Sequence, residues 1–185
     1  MNIRTLSLAA TLFALAIPSA SQAELAQGAS APGFATQGAL AGKPFAFNLQ
    51  QALRRGPVVL YFYPKAFTQG CTLEAHAFAE AAADFAAAGA TLIGMSADDV
   101  PTLQRFSTEH CRDKFAVATA TPEIIKGYDV DLKKPDGVST GLTKRTSYVI
   151  GRDRKIRLVY SNMDYRDHVR LTLAAVREMQ AHGYR

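Results

Sequence analysis

A buried strand, a proline, a short loop and a cysteine at the start of a helix constrain this chain more than any other feature. Residues 58–63 (VVLYFY) are apolar throughout, which predicts a strand covered on both faces, as inside a parallel sheet. Pro64 ends the strand. The alanine-rich run that follows Cys71 predicts a helix, which Gly89 terminates. Cys71 is therefore expected in the first turn of a helix that follows a buried strand.

The position of Cys71 favours a reactive thiolate. Free backbone N–H groups and the positive end of the helix dipole stabilise an anion at a helix N-terminus. Thr68 lies three residues earlier, and its hydroxyl can bond both a thiolate and an oxygen substrate. Pro64 removes a backbone donor and shapes the loop over the sulfur. The alternative is that Cys71 is a small, inert core residue, as buried cysteines often are.

The residues Pro64, Thr68 and Cys71 spell P-x-x-x-T-x-x-C, which resembles the peroxide-reducing motif of the peroxiredoxins. Thr72 and Glu74 continue it as C-T-x-E, similar to the PrxQ or bacterioferritin comigratory protein branch. The resemblance implies an α/β, thioredoxin-like fold with a central mixed β-sheet flanked by helices. It also implies a thiol-dependent peroxidase in which Cys71 reduces H2O2 or organic hydroperoxides and becomes a sulfenic acid, with no cofactor and no metal.

A second segment resembles the same family. Residues 143–150 (TKRTSYVI) are similar to its R-x-[ST]-[FY]-[VL]-I strand, which assigns the active-site arginine to Arg145. Its planar fork can hold a thiolate and a peroxide oxygen together. The alternative is a surface arginine at a strand start. Glu74 either favours the helix dipole or bonds Arg145 or another arginine, and the sequence leaves both roles open.

The position of the second cysteine differs from that in much of the PrxQ branch, in which a resolving cysteine follows the peroxide-reducing cysteine by five residues. That position is His76 here, and Cys111 is the other cysteine. Cys111 is predicted in the next helix, near the edge of the buried stripe that contains Leu103. We expect Cys111 to resolve oxidised Cys71 as an intramolecular disulfide. An inert Cys111 with a one-cysteine mechanism is the alternative.

The rest of the chain predicts a mixed sheet. Residues 24–53 indicate short strands and a hairpin, and residues 91–96 a second buried strand that completes a βαβ unit. Residues 129–143 are predicted as a loop, and residues 147–150 and 156–160 as paired strands. Apolar residues at positions 169, 173, 176 and 179 predict a final amphipathic helix, with His168 and His182 expected on its surface.

Residues 1–23 are predicted as a secretory signal peptide. Arg4 precedes a short apolar run, and Ser21 and Ala23 fit a small-x-small cleavage site. The run is too short to span a bilayer, although an uncleaved anchor is the alternative. Residues 24–185 then form one domain, expected in the periplasm as a monomer without membrane attachment. No basic and aromatic run indicates nucleic-acid binding.

Two other functions fit a cysteine near a helix start. A thioredoxin-like thiol–disulfide oxidoreductase or copper chaperone needs C-x-x-C or C-x-x-x-C, and positions 74 and 75 are Glu and Ala. A metal-binding module would use Cys71, His76, His110 and Cys111, a spacing that matches no common zinc pattern. For a periplasmic peroxidase, the expected electron donor is a thioredoxin-like or glutaredoxin-like protein or a small thiol.

Overall fold

The computed structural model describes residues 25–183, so the predicted signal peptide lies outside the described residues. Within them, none of the helices is both long and apolar enough to cross a membrane. The described part of the chain forms nine strands and five helices. In chain order they are β1 (Ala35–Leu40), β2 (Lys43–Asn48), α1 (Leu49–Arg55), β3 (Val58–Phe62), α2 (Gln69–Ala87), β4 (Thr91–Ser96), α3 (Val100–Glu109), β5 (Ala116–Thr119), α4 (Pro122–Gly127), β6 (Asp131–Lys133), β7 (Ser139–Thr143), β8 (Thr146–Ile150), β9 (Ile156–Ser161) and α5 (His168–Ala181).

Strand β3 separates two apolar layers. All five of its residues are buried, and successive side chains point to opposite faces. Val59 and Tyr61 pack in one cluster with buried residues of α2, α3 and α5. Val58, Leu60 and Phe62 pack in the other with α1 and α4. The predicted strand covered on both faces is confirmed, and it lies between two layers of helices.

The central sheet has the strand order β2-β1-β5-β4-β3-β8-β9. β3, β4 and β5 run parallel, whereas the other neighbours are antiparallel, so the predicted mixed sheet flanked by helices is confirmed. Because β3 and β4 are parallel, α2 must run back along the sheet between them. Its N-terminus therefore lies at the carboxyl end of β3, and the adjacent strand β8 begins there too because it is antiparallel to β3.

Several predicted elements are confirmed with small shifts of their ends. β1 and β2 form the expected hairpin, and β8 and β9 form the expected strand pair. Helix α1 was missed, because Leu49 extends the alternation of the preceding strand. The helix begins there since the side chain of Asn48 accepts a hydrogen bond from the backbone N–H of Gln51 at 3.0 Å.

The loop predicted over residues 129–143 is wrong, because this segment contains the antiparallel pair β6 and β7. The turn residues that suggested a loop form its connection. The N–H of Gly137 donates to the carbonyl of Lys134, and the N–H of Lys134 donates to the carbonyl of Val138. The strands carry mostly exposed or half-buried residues, so no apolar alternation identified them in the sequence.

Candidate active site

Cys71 is the third residue of α2 and only 2 % exposed. The loop before it turns sharply, with Phe67 in the left-handed region at φ 65°. The carbonyl of Thr68, the residue before the helix, accepts from the N–H of Thr72 at 2.9 Å. The predicted position in the first helical turn is thus confirmed, and the dipole and free N–H groups of a helix start favour an anion there.

Arg145 lies beside Cys71 although 74 residues separate them in the chain. Arg145 immediately precedes β8, whose antiparallel pairing with β3 brings it to the start of α2. Its Nη2 donates to Cys71 Sγ at 3.5 Å, and its Nε donates to the carbonyl of Met163 at 3.0 Å. Arg145 is 4 % exposed, so it is not a surface arginine.

Glu74 completes a buried group with Arg145 and Cys71. It is one helical turn after Cys71, and its Oε2 accepts a hydrogen bond from Arg145 Nη1. Burial raises the pKa of Glu74, whereas the charge of Arg145 and its hydrogen bond act in the opposite sense. Of the two roles that the sequence left open, the structure selects the ion pair with Arg145.

Gly70 makes room for the guanidinium of Arg145. A Cβ atom on Gly70 would lie 3.2 Å from Arg145 Nη2, closer than ordinary van der Waals contact. Gly70 is not among the residues that the sequence motifs predict for the site. A glycine directly before the cysteine, in a helix where glycine is unfavourable, is the signal that could have identified it.

Thr68 and Pro64 border the loop over the site. The hydroxyl of Thr68 donates to the carbonyl of Lys65 at 2.9 Å, and its side chain does not cap α2. Pro64 is half-buried and follows β3 after one residue. The structure therefore places both residues of the motif in the loop, with the Thr68 hydroxyl bonded within that loop.

Cys111 lies outside the helix in which it was predicted. α3 ends at Glu109, and the N–H groups of His110 and Cys111 both donate to the carbonyl of Phe106. The chain then turns through Arg112 at φ 51°. Extrapolating a helical stripe to Cys111 was wrong because the helix has already ended.

Cys111 is fully buried rather than at an edge, in the apolar cluster that also contains Cys71. Burial, with a further contribution from Asp113, raises the pKa of the Cys111 thiol. Both cysteines are free thiols in this structure. In this conformation Cys111 is therefore a neutral, shielded thiol.

The two histidines of the metal-binding alternative contact each other. Nε2 of His76 lies 3.2 Å from Nδ1 of His110, within hydrogen-bond distance. This pair links the second turn of α2 to the residue that ends α3. Across residues 25–183, no group of three or more histidine, cysteine or acidic side chains is arranged to hold a metal ion.

His168 is buried, so its prediction as a surface residue is wrong. Nδ1 lies 2.7 Å from the hydroxyl of Ser147, and Nε2 lies 2.9 Å from the carbonyl of Asn162. Burial lowers the pKa of His168. His168 is the first residue of α5, one position before the predicted apolar stripe begins, and its side chain faces the sheet. The spacing of the stripe therefore did not predict that His168 is buried.

Comparison with known proteins decides the family. The sequence profile described as the AhpC/TSA family matches residues 27–159. The chain belongs to this family. It is 29 % identical over 123 residues to peroxiredoxin Bcp of Bacillus subtilis, a match over 66 % of this chain and 78 % of that protein.

Solved structures of the family share this fold. The crystal structure of peroxidoxin BcpB from Mycobacterium tuberculosis matches with a TM-score of 0.72 at 31 % identity, over 83 % of this chain and 97 % of that chain. Peroxiredoxin Q of Xanthomonas campestris matches with a TM-score of 0.68 at 24 % identity, over 78 % and 90 % of the two chains, which supports the fold alone. The thioredoxin-like fold and the peroxiredoxin family are confirmed, and the chain is a thiol-dependent peroxidase of the PrxQ/Bcp type.

Proposed function

We propose that Cys71 is the residue that reduces hydroperoxides and that Arg145 stabilises its reaction. The observation that carries this proposal is the buried contact of 3.5 Å between Arg145 Nη2 and Cys71 Sγ at the start of α2. A guanidinium donates hydrogen bonds and stays charged in proteins, so it favours a thiolate at this distance.

The first step forms a sulfenic acid. The thiolate of Cys71 attacks the terminal oxygen of H2O2 or an organic hydroperoxide, an S–O bond forms and the O–O bond breaks. The leaving hydroxide or alkoxide takes up a proton and departs as water or an alcohol, while Cys71 becomes S–OH. Negative charge moves from sulfur to the leaving oxygen. Donors fixed around the reacting atoms stabilise that movement.

Thr68 and Pro64 complete the site in this proposal. Thr68 orients the peroxide through its hydroxyl, which is bonded to the carbonyl of Lys65 before substrate arrives. Pro64 has no N–H and a fixed φ, so it shapes the loop that closes over Cys71. Glu74 acts through Arg145, whose guanidinium it holds by a buried ion pair.

We propose that Cys111 resolves the sulfenic acid. Its thiolate attacks Cys71 Sγ, an S–S bond forms, and hydroxide leaves and is protonated to water. A thiol donor then reduces the disulfide. The presence of both thiols in one apolar cluster supports this pairing, which requires Cα atoms about 4.4–6.8 Å apart.

A one-cysteine cycle is the second candidate. The observation that favours it is the complete burial of Cys111, which raises the pKa of its thiol and so keeps it in the unreactive protonated form. In that cycle an external thiol attacks the sulfenic acid directly, and Cys111 is a structural residue.

We also propose that the chain is exported and acts in the periplasm as a monomer. The charged start, short apolar run and small-x-small ending of residues 1–23 support cleavage after Ala23. The electron donor would then be a periplasmic thioredoxin-like or glutaredoxin-like protein or a small thiol. Secreted protein with an N-terminus at Glu24 is the expected result, and full-length chain in the membrane fraction would contradict export.

One experiment tests both cysteine roles. Intact masses are measured for the wild type, Cys71→Ser and Cys111→Ser after one equivalent of H2O2. We expect the wild type to lose two hydrogens, Cys111→Ser to gain one oxygen and Cys71→Ser to remain unchanged. A wild-type gain of one oxygen supports the one-cysteine cycle. Undiminished peroxide turnover in Cys71→Ser would disprove the assignment of Cys71.

A further inference from the structure

We propose that His168 is a positioning residue of the peroxidase site. It holds residues 162–163 and the hydroxyl of Ser147. Through these contacts it keeps the guanidinium of Arg145 beside the sulfur of Cys71. This proposal rests on the proposed roles of Cys71 and Arg145, and the experiment below separates its failure from theirs.

Both ring nitrogens of His168 are used. Nε2 lies 2.9 Å from the carbonyl oxygen of Asn162, which only accepts, so Nε2 carries the hydrogen and donates. Nδ1 lies 2.7 Å from Ser147 Oγ and, in the neutral ring that burial favours, accepts from that hydroxyl. The two bonds fix the tautomer and the orientation of the ring.

Each partner of His168 is linked to Arg145 by a short path, through hydrogen bonds for Asn162 and Met163 and along the chain for Ser147. Asn162 donates its N–H to the carbonyl of Arg145 at 3.1 Å. The next residue, Met163, accepts from Arg145 Nε through its carbonyl at 3.0 Å. Ser147 is two residues after Arg145 on the same extended segment. His168 therefore braces both the backbone of the arginine and the carbonyl that orients its side chain.

The carboxyl group of Glu74 also lies beside the ring of His168. Its Oε2 is bonded to Arg145, whereas its Oε1 is buried without a hydrogen-bond partner among the described residues. Nδ1 of His168 lies 3.9 Å from that oxygen. In the neutral ring with its hydrogen on Nε2, Nδ1 cannot donate to that oxygen. The imidazole thus borders the free side of the group that anchors Arg145.

A structural role and a positioning role of His168 predict different results. Loss of ordinary packing lowers the free energy of unfolding and leaves the reactivity of Cys71 in the folded protein unchanged. Loss of positioning lets the guanidinium move, and misplacement by about 1 Å costs up to roughly 100-fold in rate. The reactivity of Cys71 is therefore the decisive measurement.

The test compares His168→Phe with His168→Gln and with a control, Thr172→Val. Phenylalanine keeps a ring and removes both hydrogen bonds. Glutamine keeps an amide N–H that can reach the carbonyl of Asn162. Thr172→Val removes a buried hydroxyl that donates to the backbone carbonyl of His168 within α5, so it perturbs the same helix and leaves both hydrogen bonds of the His168 ring in place.

Two rates are measured on each reduced, folded variant: oxidation of Cys71 by H2O2 and its alkylation by iodoacetamide at mildly acidic pH. The chain has no tryptophan, so rapid quenching and intact mass replace intrinsic tryptophan fluorescence. We expect His168→Phe to slow both rates by roughly 10- to 100-fold. We expect His168→Gln to stay within about fivefold of the wild type, the size of one ordinary hydrogen bond. Thr172→Val should keep both rates.

Several results would overturn the proposal. Wild-type rates in folded His168→Phe, or an equal slowing in Thr172→Val, would make His168 structural. If His168→Phe does not fold, Ser147→Ala removes one contact alone, and wild-type rates in that variant count against the proposal. Combined with Arg145→Ala, His168→Phe should cause no further slowing, because its effect passes through the arginine. A wild-type rate in Arg145→Ala itself would instead refute the proposed function.

Discussion

Arg145→Ala should be costly for stability as well as for catalysis, because it removes three contacts of one side chain. The lost contacts are those of Nε with the carbonyl of Met163, of Nη1 with Glu74 and of Nη2 with Cys71. The largest stability cost comes from Glu74, which stays fully buried without its cation. Breaking a buried pair in this way costs about 3–5 kcal/mol, a large share of the roughly 5–15 kcal/mol that stabilises a domain.

The same change should slow peroxide reduction in the protein that remains folded. Removing one preorganised donor from a charge-stabilising site costs about 2.7–4 kcal/mol, which is roughly 100- to 1,000-fold in rate. The contact of 3.5 Å between the guanidinium and Cys71 Sγ is the one that acts on the atom proposed to react. The rate loss should therefore persist under conditions in which the variant is fully folded.

The stability loss should depend on pH in a defined direction. Burial already raises the folded-state pKa of Glu74 above its ordinary value of 4.5, and removal of Arg145 raises it further. A raised carboxyl pKa gives stability that is present at low pH and lost as pH rises through the folded-state pKa. Arg145→Ala should thus cost little in acid and most above neutral pH. Adding Glu74→Gln should recover much of the loss.

Urea unfolding at several pH values and single-turnover oxidation by H2O2 measure the two effects separately. Arg177→Ala is the matched control, because it removes an arginine whose ion pair with Asp84 is more than half exposed on both sides. Exposed pairs of this kind contribute little. The prediction is wrong if Arg145→Ala is as stable as Arg177→Ala well above neutral pH, where Glu74 is ionised, or if its Cys71 reacts with peroxide at the wild-type rate.

Four further changes test neighbouring parts of the site. Thr68→Val should slow peroxide reduction by roughly 100-fold in single-turnover assays without lowering the midpoint of urea unfolding. An unchanged rate would show that Thr68 takes no part in the mechanism. Gly70→Ala should slow the reaction about tenfold, because its Cβ displaces the guanidinium of Arg145, and equal or faster oxidation would show that this displacement does not occur. The raised pKa of Glu74 predicts that the unfolding free energy of the wild type falls between acid and neutral pH. Glu74→Gln alone should abolish this fall, as measured by urea unfolding at several pH values. Cys111→Ser should accumulate sulfinic acid under repeated peroxide, detected as a gain of two oxygens, and wild-type resistance would make Cys111 irrelevant to resolution.

Much of the site can be predicted from local sequence, because short contiguous segments determine where Cys71 lies. A fully apolar strand, a proline and a cysteine at a helix start predict where Cys71 lies, and β3 and α2 confirm it. The partnership with Arg145 was predicted from the resemblance of residues 143–150 to a family strand. The pairing of Glu74 was not decided by sequence, since an acid in the first helical turn suits both the dipole and a buried arginine.

The mistakes concern residues at the ends of helices. The predicted position of Cys111 at a helix edge assumed that α3 continues at 100° per residue. The helix ends at Glu109, and the Cys111 thiol is buried in the core. His168 begins α5 and was treated as a typical polar surface residue, yet tertiary partners satisfy both ring nitrogens. Periodicity describes the middle of a helix, whereas the ends depend on capping contacts that distant segments supply.

The contact between His76 and His110 bears on how fast the proposed disulfide can form. In the proposed cycle, Cys71 reacts with peroxide in the closed site, and pairing with Cys111 then requires the start of α2 and the end of α3 to open. The histidine bond joins these two segments in the closed state, so it opposes their separation. A longer-lived closed state leaves the sulfenic acid exposed to a second peroxide for longer. Removing the bond with His76→Ala should therefore speed disulfide formation and protect Cys71 from overoxidation, while the first reaction with peroxide keeps its rate.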